Sequence, residues 1–250
     1  MELNELIEAN IDNLTSLWKK MGVQSGTSLS TIKKLNKSLS WPNRCWFDWE
    51  VNAFEISSID NIISHLDNDN IIPIWDVGDG SINRLEQLLI AGGFKVSFEQ
   101  SAMFLDTIEY MVFDLPDVDV TTIKSIHDID TWTKVAIQSF GYDIDISVIQ
   151  KIASVPDVRL FLVTVDTHPA ATAMIYKTGE VIGIHQMGVS EAYRGKGIAR
   201  KLMRHIIAQC IEFSCKYITL QASSAGQGLY EELGFKHQFI VRNYRRPILE

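Results

Sequence analysis

Val181-Ile-Gly-Ile-His-Gln-Met-Gly-Val189 runs through Ser190-Glu-Ala-Tyr-Arg-Gly-Lys-Gly-Ile-Ala199, and this stretch carries the reading of the fold. The first run is apolar and rich in β-branched residues, as a buried strand requires. Past the glycines, Ile198, Leu202, Ile206 and Cys210 recur at i, i+4, with Met203, Ile207 and Phe213 widening the stripe. That spacing predicts an amphipathic helix. Between Arg194 and Arg204 the basic residues Arg194, Lys196, Arg200, Lys201 and Arg204 meet no acid. Gly195 and Gly197 let the backbone approach a ligand closely, and the first helical turn offers unpaired N–H groups at the positive end of a dipole. The expected guest is an anion the size of a pyrophosphate. The plainer alternative is a solvated basic helix face.

The pattern continues on both sides. Val118–Ile123 reads as a strand, Ile129–Phe140 as a helix led by Asp128 or Asp130 as cap, and Ile144–Ile152 as a second helix. Arg159–Val165, Ala171–Tyr176 and Val181–Val189, separated by turns at Thr167-His-Pro169 and Thr178-Gly179, predict an antiparallel meander. Beyond the basic helix come a strand at Tyr217–Ala222, a short helix at Ala225–Leu233 with Ala225, Leu229 and Leu233 as its buried stripe, and a strand at Phe239–Tyr244. The whole reads as an α/β (α+β) fold: a mixed, mostly antiparallel central sheet flanked by helices.

Composition sets the outer bounds. The chain has 250 residues, 46% hydrophobic and 22% charged, which argues for a folded globular protein of one large or two modest domains. Its 3 cysteines, Cys45, Cys210 and Cys215, form no CxxC pair, so neither a disulfide framework nor a zinc site is indicated, and a cytoplasmic location is expected. The opening MELNELIEANIDNLTSLWKK has no basic start followed by an apolar run, and no apolar stretch is long enough to span a membrane. Residues 1–116 hold 8 Lys and Arg against 17 Asp and Glu, whereas residues 117–250 hold 15 against 14. The net charge of −8 disfavours unspecific nucleic-acid binding, and all the excess acid lies in the first half.

Known phosphate loops narrow the identity of the anion. GxxxxGK[ST] is absent, and Arg200 stands where a dinucleotide fingerprint needs its third glycine. Arg194-Gly-Lys-Gly-Ile-Ala199 instead resembles the [Q/R]xxGx[G/A] loop of the GNAT superfamily of acetyl-CoA-dependent N-acetyltransferases. Met187-Gly-Val-Ser-Glu-Ala-Tyr-Arg194 resembles that family's fourth strand and its turn, and Leu229-Tyr-Glu-Glu-Leu-Gly-Phe235 its tyrosine-bearing helix. The resemblance covers roughly residues 118–244. It implies acetyl-CoA as acetyl donor, held by backbone at Met187 and Val189, by the amides of Gly195, Lys196, Gly197, Ile198 and Ala199, and by charge from Arg194, Lys196 and Arg200. It implies Tyr230 as the proton donor to the leaving thiolate and the Met187 N–H as donor to the oxyanion. His185 is the candidate base, with an ordinary pKa of ~6.5 suited to neutral pH. Many relatives carry a glutamate near the position of Gly183. The acceptor is then an amine of unspecified kind; a non-catalytic CoA-binding sensor and a nucleic-acid-binding basic helix are the competing readings.

The strand-like Tyr110-Met-Val-Phe113 and the proline of Leu115-Pro116-Asp117 suggest a boundary, giving domains 1–115 and 116–250. Leu88-Leu-Ile-Ala-Gly-Gly-Phe94-Lys95 aligns with Leu229-Tyr-Glu-Glu-Leu-Gly-Phe235-Lys236, so the first half is either a degenerate copy of the same fold or an unrelated α/β domain for substrate or dimerisation. Five of the 6 tryptophans lie in it, at 18, 41, 46, 49 and 75. Together with its acidity they suggest an acidic, ring-lined wall facing a cationic acceptor.

Overall fold

Alternation along the central strands dictates the layering. In β6 (Val158–Val165), Leu160 and Leu162 pack with one group of helices and Phe161 and Val163 with another; in β7 (His168–Thr178), Met174 and Tyr176 oppose Ala173 and Ile175. Strands buried on both faces require helices on both sides of the sheet. The structure, a computed structural model, describes residues 1–22, 32–34, 41–47, 70–78, 84–110, 118–123 and 125–247. Its elements in chain order are α1 (Leu3–Gly22), β1 (Ile32–Lys34), β2 (Cys45–Phe47), β3 (Ile72–Asp76), α2 (Arg84–Ala91), β4 (Lys95–Asp106), β5 (Asp119–Thr122), α3 (Ile126–Phe140), α4 (Ile146–Ala153), β6, β7, β8 (Val181–Val189), a 3₁₀ turn at Glu191–Tyr193, α5 (Ile198–Glu212), β9 (Tyr217–Ala222), α6 (Ser224–Glu232) and β10 (Lys236–Arg245).

β1 and β2 pair with each other, and the remaining strands form an 8-stranded sheet in the order β3-β10-β4-β9-β8-β7-β6-β5. Every neighbouring pair in it is antiparallel except β8 and β9. On one face α1, α3 and α4 bury Leu17, Trp18, Trp132 and Ile149. On the other, α5 buries Ile198, Leu202, Met203, Ile206, Ile207 and Cys210, the stripe predicted from spacing. Each such side chain removed from water contributes about 1.5–3 kcal/mol, which holds the helix that bears the basic loop against the sheet. Among the described residues, no helix is long and apolar enough to cross a membrane.

The meander, the basic helix and the strands after it lie where the periodicity places them, and three local details differ. Ser125 caps α3: its hydroxyl accepts from the Asp128 N–H at 3.1 Å, so Asp128 sits inside the first turn rather than at the cap. Asp166 and Thr167 make the β6–β7 turn with φ of 49° and 67°, and His168 and Pro169 belong to β7. In α6 the buried side chain is Tyr230, while Ala225 is exposed and Leu229 half-buried, because the Tyr230 ring packs edge-on against Phe235, 5.9 Å between centroids.

The proposed boundary at Leu115-Pro116-Asp117 and residues 111–113 of the strand expected before it lie outside the described residues, as does Trp49. The sheet itself does not divide there. β4, from residues 1–115, is hydrogen-bonded between β9 and β10, both from 116–250. The helix-Gly-Phe-strand signal does recur in three dimensions. The Phe94 N–H donates to Leu89 O and the Phe235 N–H to Tyr230 O, both at 2.9 Å, while Gly93 and Gly234 donate to Ile90 and Glu231. Both helices thus end in a Schellman motif and feed adjacent antiparallel strands, β4 and β10.

Candidate active site

The site opens where two parallel strands part. β8 and β9 pair only at Val181, Ile182 and Gly183 against Tyr217, Ile218 and Thr219, so from Ile184 onward β8 has no partner on that side. Across β7, the register slips between Thr172 and Met174, and the extra residue lies in β8, where Gln186 takes a φ of 48°. A bulge there turns the backbone of the residues beside it. Thr172 Oγ1 donates to Gln186 O at 3.1 Å and the Gln186 side chain donates to the Tyr142 hydroxyl at 3.0 Å, which pins the distortion.

The parting strands open onto a cleft of about 360 Å³. His185 and Met187 of β8, Leu220 and Gln221 of β9, Tyr230 of α6 and Trp18 of α1 are among the residues that line it. A row of amides crosses its base: Asn243 donates to Gln100 Oε1, Gln100 to Gln221 O, Gln221 to Asn10 Oδ1 and Asn10 to Gln238 Oε1.

Gly183 is a matter of space. A Cβ there would lie 1.9 Å from Asn13 Oδ1 and 2.5 Å from His185 Nε2, so α1 fills the place a longer side chain would need, and the glutamate many relatives carry has no room. Asn13 is fully buried, and its Nδ2 donates to the Tyr176 carbonyl and to Thr178 Oγ1, both at 2.9 Å. Because a carbonyl can only accept, Nδ2 must face it and Oδ1 must face His185, 3.0 Å away. His185 Nε2 therefore carries the proton, and Nδ1 is the ring's acceptor. Burial draws the imidazole pKa down to about 3, so the ordinary titration near neutrality expected from sequence does not hold. A group this far below the operating pH is a weaker base than a free imidazole.

Tyr230 is 8% exposed, yet its hydroxyl makes no hydrogen bond among the described residues and is not sealed off from the cleft. Burial raises its pKa to about 12, which keeps it a donor through the whole neutral range.

The glycine loop follows the end of β8, outside the lining of the cleft. Gly195 and Gly197 have φ of 73° and 75°, a left-handed backbone that glycine adopts without cost. A Cβ at either would meet open space, so the loop backbone fronts solvent. Gly197 caps α5 without a side-chain hydrogen bond, leaving the first-turn N–H groups from Ile198 onward to an external acceptor. The basic residues are less free than expected. Arg194 donates from Nε to Val189 O at 3.1 Å and from Nη2 to Ser139 O at 2.7 Å, tying the turn to β8 and α3. Lys196 donates to Ala192 O at 3.0 Å over the Tyr193 ring, and Arg200 pairs with Glu232. Met187 and Val189 are half-buried against the core, with Ala199 half-buried and Ile198 buried at the helix start.

Met187, His185 and Tyr230 thus share one cleft, and residues 194–200 lie beyond it at the helix start. Asn13, Arg44 and Tyr142 belong to the site as well and were not among the expected residues. The i, i+3, i+4 spacing of Leu6, Ile7, Asn10, Ile11, Leu14, Leu17 and Trp18 is the signal that marks α1 as a packed helix with asparagines on its buried face.

A family profile described as acetyltransferase (GNAT) matches residues 123–235. Among solved structures, a GCN5-related N-acetyltransferase from Kribbella flavida aligns over 97% of this chain and 96% of its own, at 13% identity and a TM-score of 0.71. A functionally unknown conserved protein from Staphylococcus epidermidis aligns over 91% and 96%, at 15% identity and a TM-score of 0.63. A GCN5-related N-acetyltransferase from Sphaerobacter thermophilus aligns over 72% and 62%, at 16% identity and 0.58. These likenesses establish the fold, including the parts contributed by α1 and β4. No curated protein sequence matches the chain. Residues 123–235, which supply β8, the glycine loop, α5 and Tyr230, are an acetyltransferase domain of the GNAT family.

Proposed function

We propose that the protein is an N-acetyltransferase that moves the acetyl group of acetyl-CoA to a primary amine. The observation that carries this reading is the Tyr230 hydroxyl, which has no hydrogen-bond partner among the described residues and lines the cleft where β8 and β9 part. Acetyl-CoA, when bound, supplies a thioester carbonyl open to attack by an amine and a sulfur that leaves as thiolate. The loop fits its pyrophosphate: Gly195 and Gly197 front open space, and the first-turn amides of α5 have no side-chain cap. Arg200 adds charge at small cost, since its pair with Glu232 is exposed, at 42% and 60%, and such pairs are worth about 0–1 kcal/mol. Arg194 acts by holding the turn, and Lys196 adds positive potential beside it. Backbone at Met187 and Val189 aligns the thioester arm, and the Met187 N–H next to the bulge donates to the carbonyl oxygen as charge develops there. Tyr230 keeps its proton at neutral pH and donates a hydrogen bond to the departing sulfur. His185 orients the amine by accepting at Nδ1, and the nitrogen's proton leaves to solvent. Cys45, Cys210 and Cys215 are all buried thiols rather than disulfides, which suits a reducing compartment, and we place the enzyme in the cytoplasm.

Calorimetry with acetyl-CoA tests the donor half of this reading. One site per chain is expected, and Gly197→Glu should abolish binding by setting bulk and negative charge against the loop amides, while the strain of a non-glycine residue at a φ of 75° lowers stability by only about 1–2 kcal/mol and leaves the chain folded. Two sites, or an unchanged affinity in the variant, would remove the loop from the account.

A further inference from the structure

Among the described residues, the cleft holds one cation, Arg44, that pairs with no acid. Arg44 is anchored by a short stretch of paired backbone: the Cys45 N–H donates to Ile71 O at 3.1 Å, the Ile71 N–H to Asn43 O at 3.2 Å, and the Trp41 N–H to Asp143 O at 2.8 Å. Cys45 and Trp46 beside it are buried, so the position is fixed from below. The largely buried guanidinium lies between two rings, 5.8 Å from the Trp18 centroid and 5.7 Å from that of Phe98. Both are within cation–π reach. Among the described residues no carboxylate or carbonyl bonds to it, and its nitrogens are not sealed from the cleft. Burial brings its pKa down to about 10, with the Tyr142 hydroxyl acting in the opposite sense, so the charge persists at neutral pH.

A guanidinium has five donors in a planar fork that matches a carboxylate in two parallel hydrogen bonds. Donors with no acceptor among the described residues, set between aromatic rings and open to the cleft, are available to an anionic ligand. The anion is not the pyrophosphate. Arg44 shares its cavity with His185, Gln186 and Met187, while the glycine loop begins five residues past the end of β8 and contributes nothing to that lining. Nor does the site suit a phosphate dianion. Arg44 is the one Lys or Arg among the described lining residues, and the Glu99 carboxylate stands on the same wall. A cavity of about 360 Å³ is near the lower end of ligand sites, which run ~300–1,000 Å³, and so favours a small acceptor.

We propose that Arg44 binds a carboxylate on the acceptor, so that the substrate class is a small amino carboxylate, an α-amino acid or a close analogue, rather than a polyamine or aminoglycoside. This rests on the amine-acetylation reading above and reverses the expectation of an acidic wall for a cationic acceptor. The carboxylate seated on Arg44 leaves the amine directed at Met187 and His185, and the flanking rings exclude water from the ion pair.

The test uses the full chain with matched probes. Thiol release from acetyl-CoA is measured with a panel of α-amino acids and with the corresponding α-amino amides. The expected result is a kcat/KM at least roughly 100-fold higher for an acid than for its amide, carried mainly in KM. Arg44→Gln should bring that ratio toward one, and Arg44→Lys should recover part of it, with acetyl-CoA affinity unchanged in both. Amides used as well as acids, or a loss of acetyl-CoA affinity in Arg44→Gln, would overturn the proposal. A second arm does not depend on turnover: binding of N-acetyl amino acids and their amides is followed by the fluorescence of the tryptophans beside Arg44. Acids that bind through Arg44 in a protein that acetylates no amine would refute the transferase reading and keep the carboxylate site. Equal binding of acids and amides would refute the carboxylate site whatever the transfer assay gives.

Discussion

Replacing Gly183 by alanine should be among the most damaging small changes in the protein. The new Cβ would lie 1.9 Å from Asn13 Oδ1 and 2.5 Å from His185 Nε2, far inside contact distance. Asn13 cannot swing aside freely, because it is fully buried and its Nδ2 is held by Tyr176 O and Thr178 Oγ1. Moving it breaks the bond to His185 and strains the other two, and each buried group left unpaired costs about 1–3 kcal/mol. The unfolded-state entropy that alanine removes returns only about 0.4–1 kcal/mol. A net loss of about 2–5 kcal/mol follows, which for a chain of this size lowers Tm by roughly 5–15 °C. Asn13→Ala removes the nearer of the two clashing atoms and frees His185 to shift, so the double variant should be less destabilised than the two single losses added, by more than about 1 kcal/mol in a urea-unfolding cycle. Additive losses, or a Gly183→Ala protein within about 0.5 kcal/mol of wild type, would refute the packing argument that excludes a glutamate from this position.

Two further outcomes follow from the same geometry. His185 is held neutral in the fold, with a pKa of about 3, but titrates near its ordinary ~6.5 when unfolded. The unfolded chain therefore binds the extra proton between those values, and stability falls as pH drops through 6.5; from pH 7 to pH 5 this one residue accounts for a loss of about 2 kcal/mol. His185→Gln keeps the hydrogen bond to Asn13 and should remove that slope in urea titrations at the two pH values; a slope unchanged in the variant would show that His185 titrates normally in the fold. Gly234→Ala, at a φ of 91° in the Schellman cap before β10, should cost about 1–2 kcal/mol in urea unfolding, and a neutral result would mean the cap is not formed.

The half of the fold that sequence makes legible is the half whose signals are local. Leu160–Val163 and Ala173–Tyr176 are unbroken apolar runs because each strand is buried on both faces, and the Ile198–Cys210 stripe repeats because one helix face is buried, so local pattern alone recovers them. The place of β4 is a different kind of fact. Its residues read as a strand after Gly-Phe, yet nothing in them states that the strand inserts between β9 and β10, a pairing set by contacts more than a hundred residues apart. The same holds at the site. Gly195, Gly197 and Tyr230 stand in motifs, whereas Asn13 reaches His185 only once α1 packs on β8, and Arg44 reaches the cleft only once its segment pairs with Ile71 and Asp143. His185 shows the consequence: its residue type suggests a base, and the partner that sequence does not announce fixes its tautomer while burial lowers its pKa. Arg194 shows it again, since its charge suggests a phosphate and its hydrogen bonds serve the turn.

The central claim is acetyl transfer to an amine with Tyr230 as hydrogen donor to the departing sulfur, and steady-state thiol release from acetyl-CoA in the presence of amines, for wild type and Tyr230→Phe, tests it most directly. Wild type should release thiol in an amine-dependent manner, and the phenylalanine variant should lose about 10²-fold or more in kcat with acetyl-CoA affinity and Tm nearly unchanged, as expected on removing a positioned donor. Acetyl-CoA binding with no amine-dependent release would make the protein a CoA-binding module, and a Tyr230→Phe enzyme running at the wild-type rate would contradict the mechanism.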